Sequence, residues 1–120
     1  MKVVATAQGS NLDSPVDPRF GRARYFLLVD TETGKFTAHD NVQNLNAPQG
    51  AGIQAAQAVV QLGAEAVLTG NVGPKAFATL QAGQIAIYPG AAGTVRQALE
   101  ELRSGRLQPA AKANVEGHWS

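Results

Sequence analysis

One hundred and twenty residues, with ten Lys and Arg against nine Asp and Glu, make a chain of net charge +1, large enough to bury one core and too small for two domains. That balance supplies no bulk attraction to nucleic acid or to an anionic membrane, and neither is expected as a partner. No unbroken apolar run reaches about 18 residues, so no membrane-spanning helix is expected. Met1-Lys2-Val3-Val4-Ala5 leads straight into apolar alternation without an export-signal pattern, which predicts a cytoplasmic protein. The sequence has no cysteine, which removes disulfides, thiolate metal ligation and cysteine nucleophiles together. His39, His118 and Met1 are the other soft or borderline ligands, too few for an all-protein transition-metal cage.

In chain order, residues 2–8 and 23–30 read as strands, rich in Val, Phe, Tyr and Leu. The second is almost continuously apolar, as expected of a central strand covered on both faces. Beyond the turn at Gly34, residues 35–42 alternate as an antiparallel hairpin partner less deeply buried. The period then changes. Residues 50–62 set Gln54, Gln57 and Gln61 on a polar stripe opposite an apolar surface with Ile53, Ala56 and Val60, and Gly63 follows at a helix-stop position. Residues 64–69 form a short strand, Pro74 opens a second helix that ends at Gly83, and Ile85–Tyr88 is another short strand. Thr94 with Gln97 three residues on is a capping-box signature for a third helix, stopped by Gly105. The fold class is therefore α/β: a mixed five-stranded sheet, antiparallel first and parallel later, with helices on both faces. Residues 1–107 form the single domain and 108–120 a tail expected to be flexible.

Chemistry is expected beyond the carboxyl ends of the parallel strands. Pro48-Gln49-Gly50-Ala51-Gly52, Gly70-Asn71-Val72-Gly73-Pro74 and Pro89-Gly90-Ala91-Ala92-Gly93 all precede helices. Helix N-termini offer free N–H groups and partial positive charge, and glycine permits close approach, so several on one edge would suit a compact anion. The plainer reading is that turns at helix borders need glycine anyway. No phosphate-loop or complete dinucleotide fingerprint is present, and nucleotide is not expected. The long connection from Gly9 to Gly21 ends in Asp17-Pro18-Arg19-Phe20-Gly21-Arg22-Ala23-Arg24, three arginines around one aromatic. It is either an anion clamp or a solvated loop in which Asp13 or Asp17 pairs with Arg19 and Phe20 plugs the core edge. No serine or histidine stands in a nucleophile or base context, so no enzyme is expected.

Three segments together, Asp17 to Ala23, Gly50 to Gln57, and Thr69 to Phe77 with Leu80, followed by Ile85 to Tyr88, resemble the dinitrogenase iron–molybdenum cofactor biosynthesis family in order and spacing. The resemblance implies a ribonuclease H-like three-layer fold and the carriage, storage or assembly of metal-sulfide clusters. Size and lack of cysteine make this chain most similar to the orange-protein branch, which implies a molybdenum–copper sulfide cluster held without covalent attachment. Partners would be that inorganic anion and cofactor-assembly or redox proteins. Where many members carry a histidine before Gly-Ala-Gly, this chain has Pro48-Gln49, which argues against direct histidine ligation. The first strand has no acidic residue for a two-metal nuclease site. A thiometallate brings its own sulfide ligands and asks for N–H donors, cations and apolar walls. The candidate binding residues are Arg19, Phe20, Gly21, Arg22, Gly50, Gly52, Asn71, Gly73, Lys75, Gly90, Gly93 and Thr94, with Ile53 and Val72 as further walls and His118 as a metal ligand from the tail. The alternative is an interaction module for assembly proteins that binds no cluster itself.

Overall fold

A computed structural model describes residues 1–41 and 51–113. The strands are β1 (Lys2–Ala7), β2 (Tyr25–Asp30), β3 (Phe36–Asp40), β4 (Ala66–Leu68) and β5 (Ala86–Tyr88), and the helices are α1 (Ala51–Gln61), α2 (Pro74–Ala82) and α3 (Val95–Arg103). They form one mixed sheet in the order β3-β2-β1-β4-β5. The β1–β2 and β2–β3 pairs are antiparallel, and the β1–β4 and β4–β5 pairs are parallel.

Alternation along β1 sends successive side chains to opposite faces. Val4 joins Phe26, Val67 and Ile87 beneath α1 and α2, whose Val59, Phe77 and Leu80 complete that layer. Val3 and Ala5 face the other way, with Leu27, Val29 and Leu68, and are covered by Val95 and Ala98 of α3. The apolar run of β2 pointed to the central position, yet the middle of the sheet belongs to β1. Apolar continuity reports burial on both faces, and any interior strand has that. β2 is interior too, but its outer neighbour β3 is almost wholly exposed, as its polar alternation implied.

The capping box forms as read: Gln97 N–H donates to Thr94 Oγ1 at 3.1 Å, and Thr94 N–H donates to Gln97 Oε1 at 2.9 Å. Beyond Gly105, Leu107 packs on the α3 side and Ala110 and Ala113 on the α1–α2 side. Ala110 N–H donates to Ile87 O at 2.7 Å. The chain thus covers the outer edge of β5, a position that would otherwise present unpaired backbone groups.

In the β2–β3 turn, Asp30 Oδ1 accepts the N–H groups of Glu32 at 2.9 Å and Thr33 at 3.4 Å. The Glu32 N–H does most to hold the Asp30 carboxyl below its ordinary value. Desolvation opposes this, while the Thr33 N–H, the N-terminal ammonium and Lys2 reinforce it. A carboxylate depressed on folding contributes stability above its unfolded pKa and loses it as pH falls through the folded value. Asp30→Asn should therefore lower the thermal midpoint at neutral pH and flatten its decline below about pH 4, measured by thermal melts across the acid range.

Candidate functional site

Because β1, β4 and β5 are parallel, their carboxyl ends share one edge. Antiparallel pairing of Ala7 with Tyr25 and of Tyr25 with Asp40 brings the start of β2 and the end of β3 to the same edge. The connections Gly70–Pro74 and Pro89–Gly93, which follow β4 and β5, therefore meet there, whereas Pro48, Gln49 and Gly50 lie outside the described residues, as does His118. The long Gly9–Gly21 connection folds back across this edge. It pairs Val16 with Ala7, Pro15 with Thr94 and Arg19 with Asn71.

This return divides the edge into two parts. On the β5 side the first amides of α3 are already used, since Val95 N–H donates to Ser14 O at 2.9 Å and Arg96 N–H to Leu12 O at 2.8 Å. Val16 N–H takes Gly93 O at 2.9 Å, and Gly90 N–H takes Gly70 O at 2.9 Å. Gly90, Gly93 and Thr94 thus surround a helix start filled by the protein's own chain. At Gly70 a Cβ would lie 2.7 Å from Pro18 Cα and 2.8 Å from Pro18 O, so glycine is required by the close passage of the loop.

On the β1–β2 side a cavity of about 380 Å³ is lined by Gln8, Asp17, Pro18, Arg19, Arg22 and Arg24. Arg19 is held beside Asn71 by Phe20 N–H to Asn71 O at 3.2 Å and Asn71 N–H to Pro18 O at 2.7 Å. The Gly21–Arg24 turn is organised by buried Asn41. Its Nδ2 donates to Ala23 O at 2.9 Å and Gly21 O at 3.3 Å, and its N–H donates to Arg24 O at 2.8 Å. Arg24 Cζ lies 5.7 Å from the Tyr25 ring centroid, a cation–π contact that steadies the guanidinium. Asp17 is only 5 % exposed. Three guanidinium groups and one carboxylate leave the lining positive in a chain whose total charge is close to zero.

Of the candidate residues, the cavity gathers Arg19 and Arg22, with Asn71 bridged to Arg19. Phe20 is fully buried and stacks on Phe26 at 6.1 Å between ring centroids, and Val72 lies in the same core. Gly21 and Gly73 are buried, and Gly52 is buried in the first turn of α1, where Ile53 is half-buried. Gly73 caps α2 with no side-chain partner, and Lys75, two residues on in the first turn, is exposed and outside the cavity lining. Sequence reasoning left Gln8, Asp17, Pro18 and Arg24 out of the candidate set; the signal available for Arg24 was its place in the arginine-rich segment, and for Asp17 its position two residues before Arg19. Among the described residues no group of three His, Asp or Glu side chains could hold a metal ion, and no helix is long and apolar enough to cross a membrane.

The sequence profile described as "dinitrogenase iron-molybdenum cofactor" matches residues 1–105. The chain belongs to that family. Among solved structures it is similar to the orange protein of Desulfovibrio gigas in its apo form, at 44 % identity over 95 % of this chain and 96 % of that one, with a TM-score of 0.92. It is also similar to a NifB-like protein of Thermotoga, at 34 % identity over 97 % and 98 % of the two chains and a TM-score of 0.83. An uncharacterized protein of Methanocaldococcus jannaschii is 25 % identical over 95 residues, 78 % of this chain and 80 % of the relative.

Burial assigns Phe20 to packing. Phe20→Ala should cost about 3–5 kcal/mol of stability, read from urea unfolding, whereas Phe20→Leu, which keeps an apolar side chain in the core, should cost less.

Proposed function

We propose that the arginine-lined cavity holds a metal-sulfide polyanion, molybdenum-containing and in its fullest form a molybdenum–copper sulfide, for carriage or assembly of a metal cofactor. The supporting observation is the convergence of Arg19, Arg22 and Arg24 on one cavity at the carboxyl edge of the parallel strands. Membership of the iron–molybdenum cofactor family and the likeness to the orange protein point the same way. The donor set suits such a guest. With no cysteine in the sequence and no three-residue His, Asp or Glu cluster among the described residues, the protein offers cations and N–H donors rather than metal ligands. A cluster that brings its own sulfide ligands asks chiefly for such groups. The three-layer arrangement is read, by the same resemblance, as ribonuclease H-like.

A second reading, docking of cofactor-assembly proteins, is favoured by a different feature. A larger cavity of about 700 Å³ lies beside α3, with Leu12, Val29, Tyr88, Leu99 and Leu102 among its lining residues. It shares no lining residue with the Arg19–Arg22–Arg24 cavity, and its Arg96 and Arg103 are offset by Asp30 and Glu100, so its apolar lining suits a protein surface better than an inorganic anion.

Titration of tetrathiomolybdate with a cuprous salt into protein purified without metal should displace the visible absorption from that of the protein-free mixture. Arg22→Met and Arg24→Met should each weaken the complex by about tenfold or more, the scale of one charge-assisted contact. Added salt should weaken it further. A spectrum indistinguishable from the protein-free mixture would remove the proposal.

A further inference from the structure

The arginine cavity contains one residue that a simple anion site should not have. Asp17 lines it beside Arg19, Arg22 and Arg24, yet its carboxylate is almost wholly buried. Among the described residues the carboxylate has partners only on Arg19: Oδ1 accepts the Arg19 N–H at 3.0 Å and lies 3.9 Å from Nε, beyond hydrogen-bond reach. Oδ2 has none. A buried acceptor left this poorly satisfied is costly unless something else meets it.

Nor can the group withdraw. Asp17 N–H donates to Thr6 O at 2.9 Å, and Thr6 Oγ1 lies 2.8 Å from both Asp17 O and Thr69 Oγ1. Both threonines are fully buried, and Pro18 restricts the following backbone. The carboxylate is therefore a fixed negative charge and fixed acceptor set among three cations.

We infer that Asp17 is the specificity-determining residue of this cavity: it admits anions that turn an electropositive atom, an acidic hydrogen or a bound metal centre, toward its carboxylate, and it rejects anions that have none. The arginines hold the anionic edge of such a ligand, and Asp17 accepts from the electropositive side. An anion bare on every side meets the carboxylate as an unpaired like charge, the repulsive element through which specificity is commonly built. The inference rests on the reading of the cavity as an anion site and adds which anions it takes.

Inorganic phosphate and sulfate at pH 8 separate the cases, because both are dianions of similar size and only hydrogenphosphate keeps an acidic hydrogen. By calorimetry the unmodified protein should prefer hydrogenphosphate by at least tenfold. Asp17→Asn, which keeps Oδ1 for the Arg19 N–H, should bind sulfate about tenfold more tightly and lose the preference. Asp17→Ser, uncharged but still able to accept that N–H, should behave likewise should the asparagine variant fold poorly. Tetrathiomolybdate tests the metal arm: the unmodified protein should gain at least tenfold in affinity when cuprous ion is added, and Asp17→Asn should gain little. Equal affinities for phosphate and sulfate, with no copper effect and no change on substitution at Asp17, would overturn the inference. If Arg22→Met still abolished binding in that case, the anion site would stand without it. Failure of the unmodified protein to bind any of these anions would overturn both.

Discussion

The loop after the first strand is pinned to that strand through both the N–H and the C=O of one residue, Asp17. Asp17 N–H reaches Thr6 O, and Thr6 Oγ1 returns to Asp17 O inside a fully buried pocket that also contains the Thr69 hydroxyl. Buried hydrogen bonds of this kind are expensive to leave unmade, so the pair holds the loop to one course. From that course follow the burial of Phe20 against Phe26, the bridge from Arg19 to Asn71 and the need for glycine at position 70. The arginine cavity is what remains between this loop and the Gly21–Arg24 turn.

The same loop bears on two rival readings of the sequence in different places. As the plainer alternative held, Phe20 plugs the core and Asp17 is the acid nearest Arg19, while Asp13 pairs instead with Arg96 at 2.9 Å. Those contacts do not close the cavity, whose lining includes no residue of the occupied start of α3. Core-packing and cavity-lining positions are thus neighbours in one short segment.

Much of the architecture was legible because period and punctuation are local signals. The change from alternation before Asn41 to the glutamine stripe of α1, the Thr94–Gln97 box and the glycine stops marked the element order, and the parallel strands brought the glycine loops to one edge. The roles within that edge were less legible. Gly70 and Gly93 carry the same local pattern as ligand-binding glycines, but contacts with Pro18 and Val16 decide their use, and those come from more than fifty residues away in sequence. Asp17 was hidden for the same reason: its burial depends on Thr6 and Thr69, and a carboxylate beside an arginine reads in isolation as an exposed ion pair.

The central claim is that guanidinium groups at the β1–β2 edge retain a preassembled inorganic anion. Amide and arginine side-chain NMR shifts, followed as tetrathiomolybdate and cuprous ion are added, test it most directly. The account predicts changes concentrated at Gln8, Asp17, Arg19, Arg22 and Arg24, with Leu99 and Leu102 unmoved. Shifts gathered around Leu99 and Leu102, or none at the arginines, would contradict it.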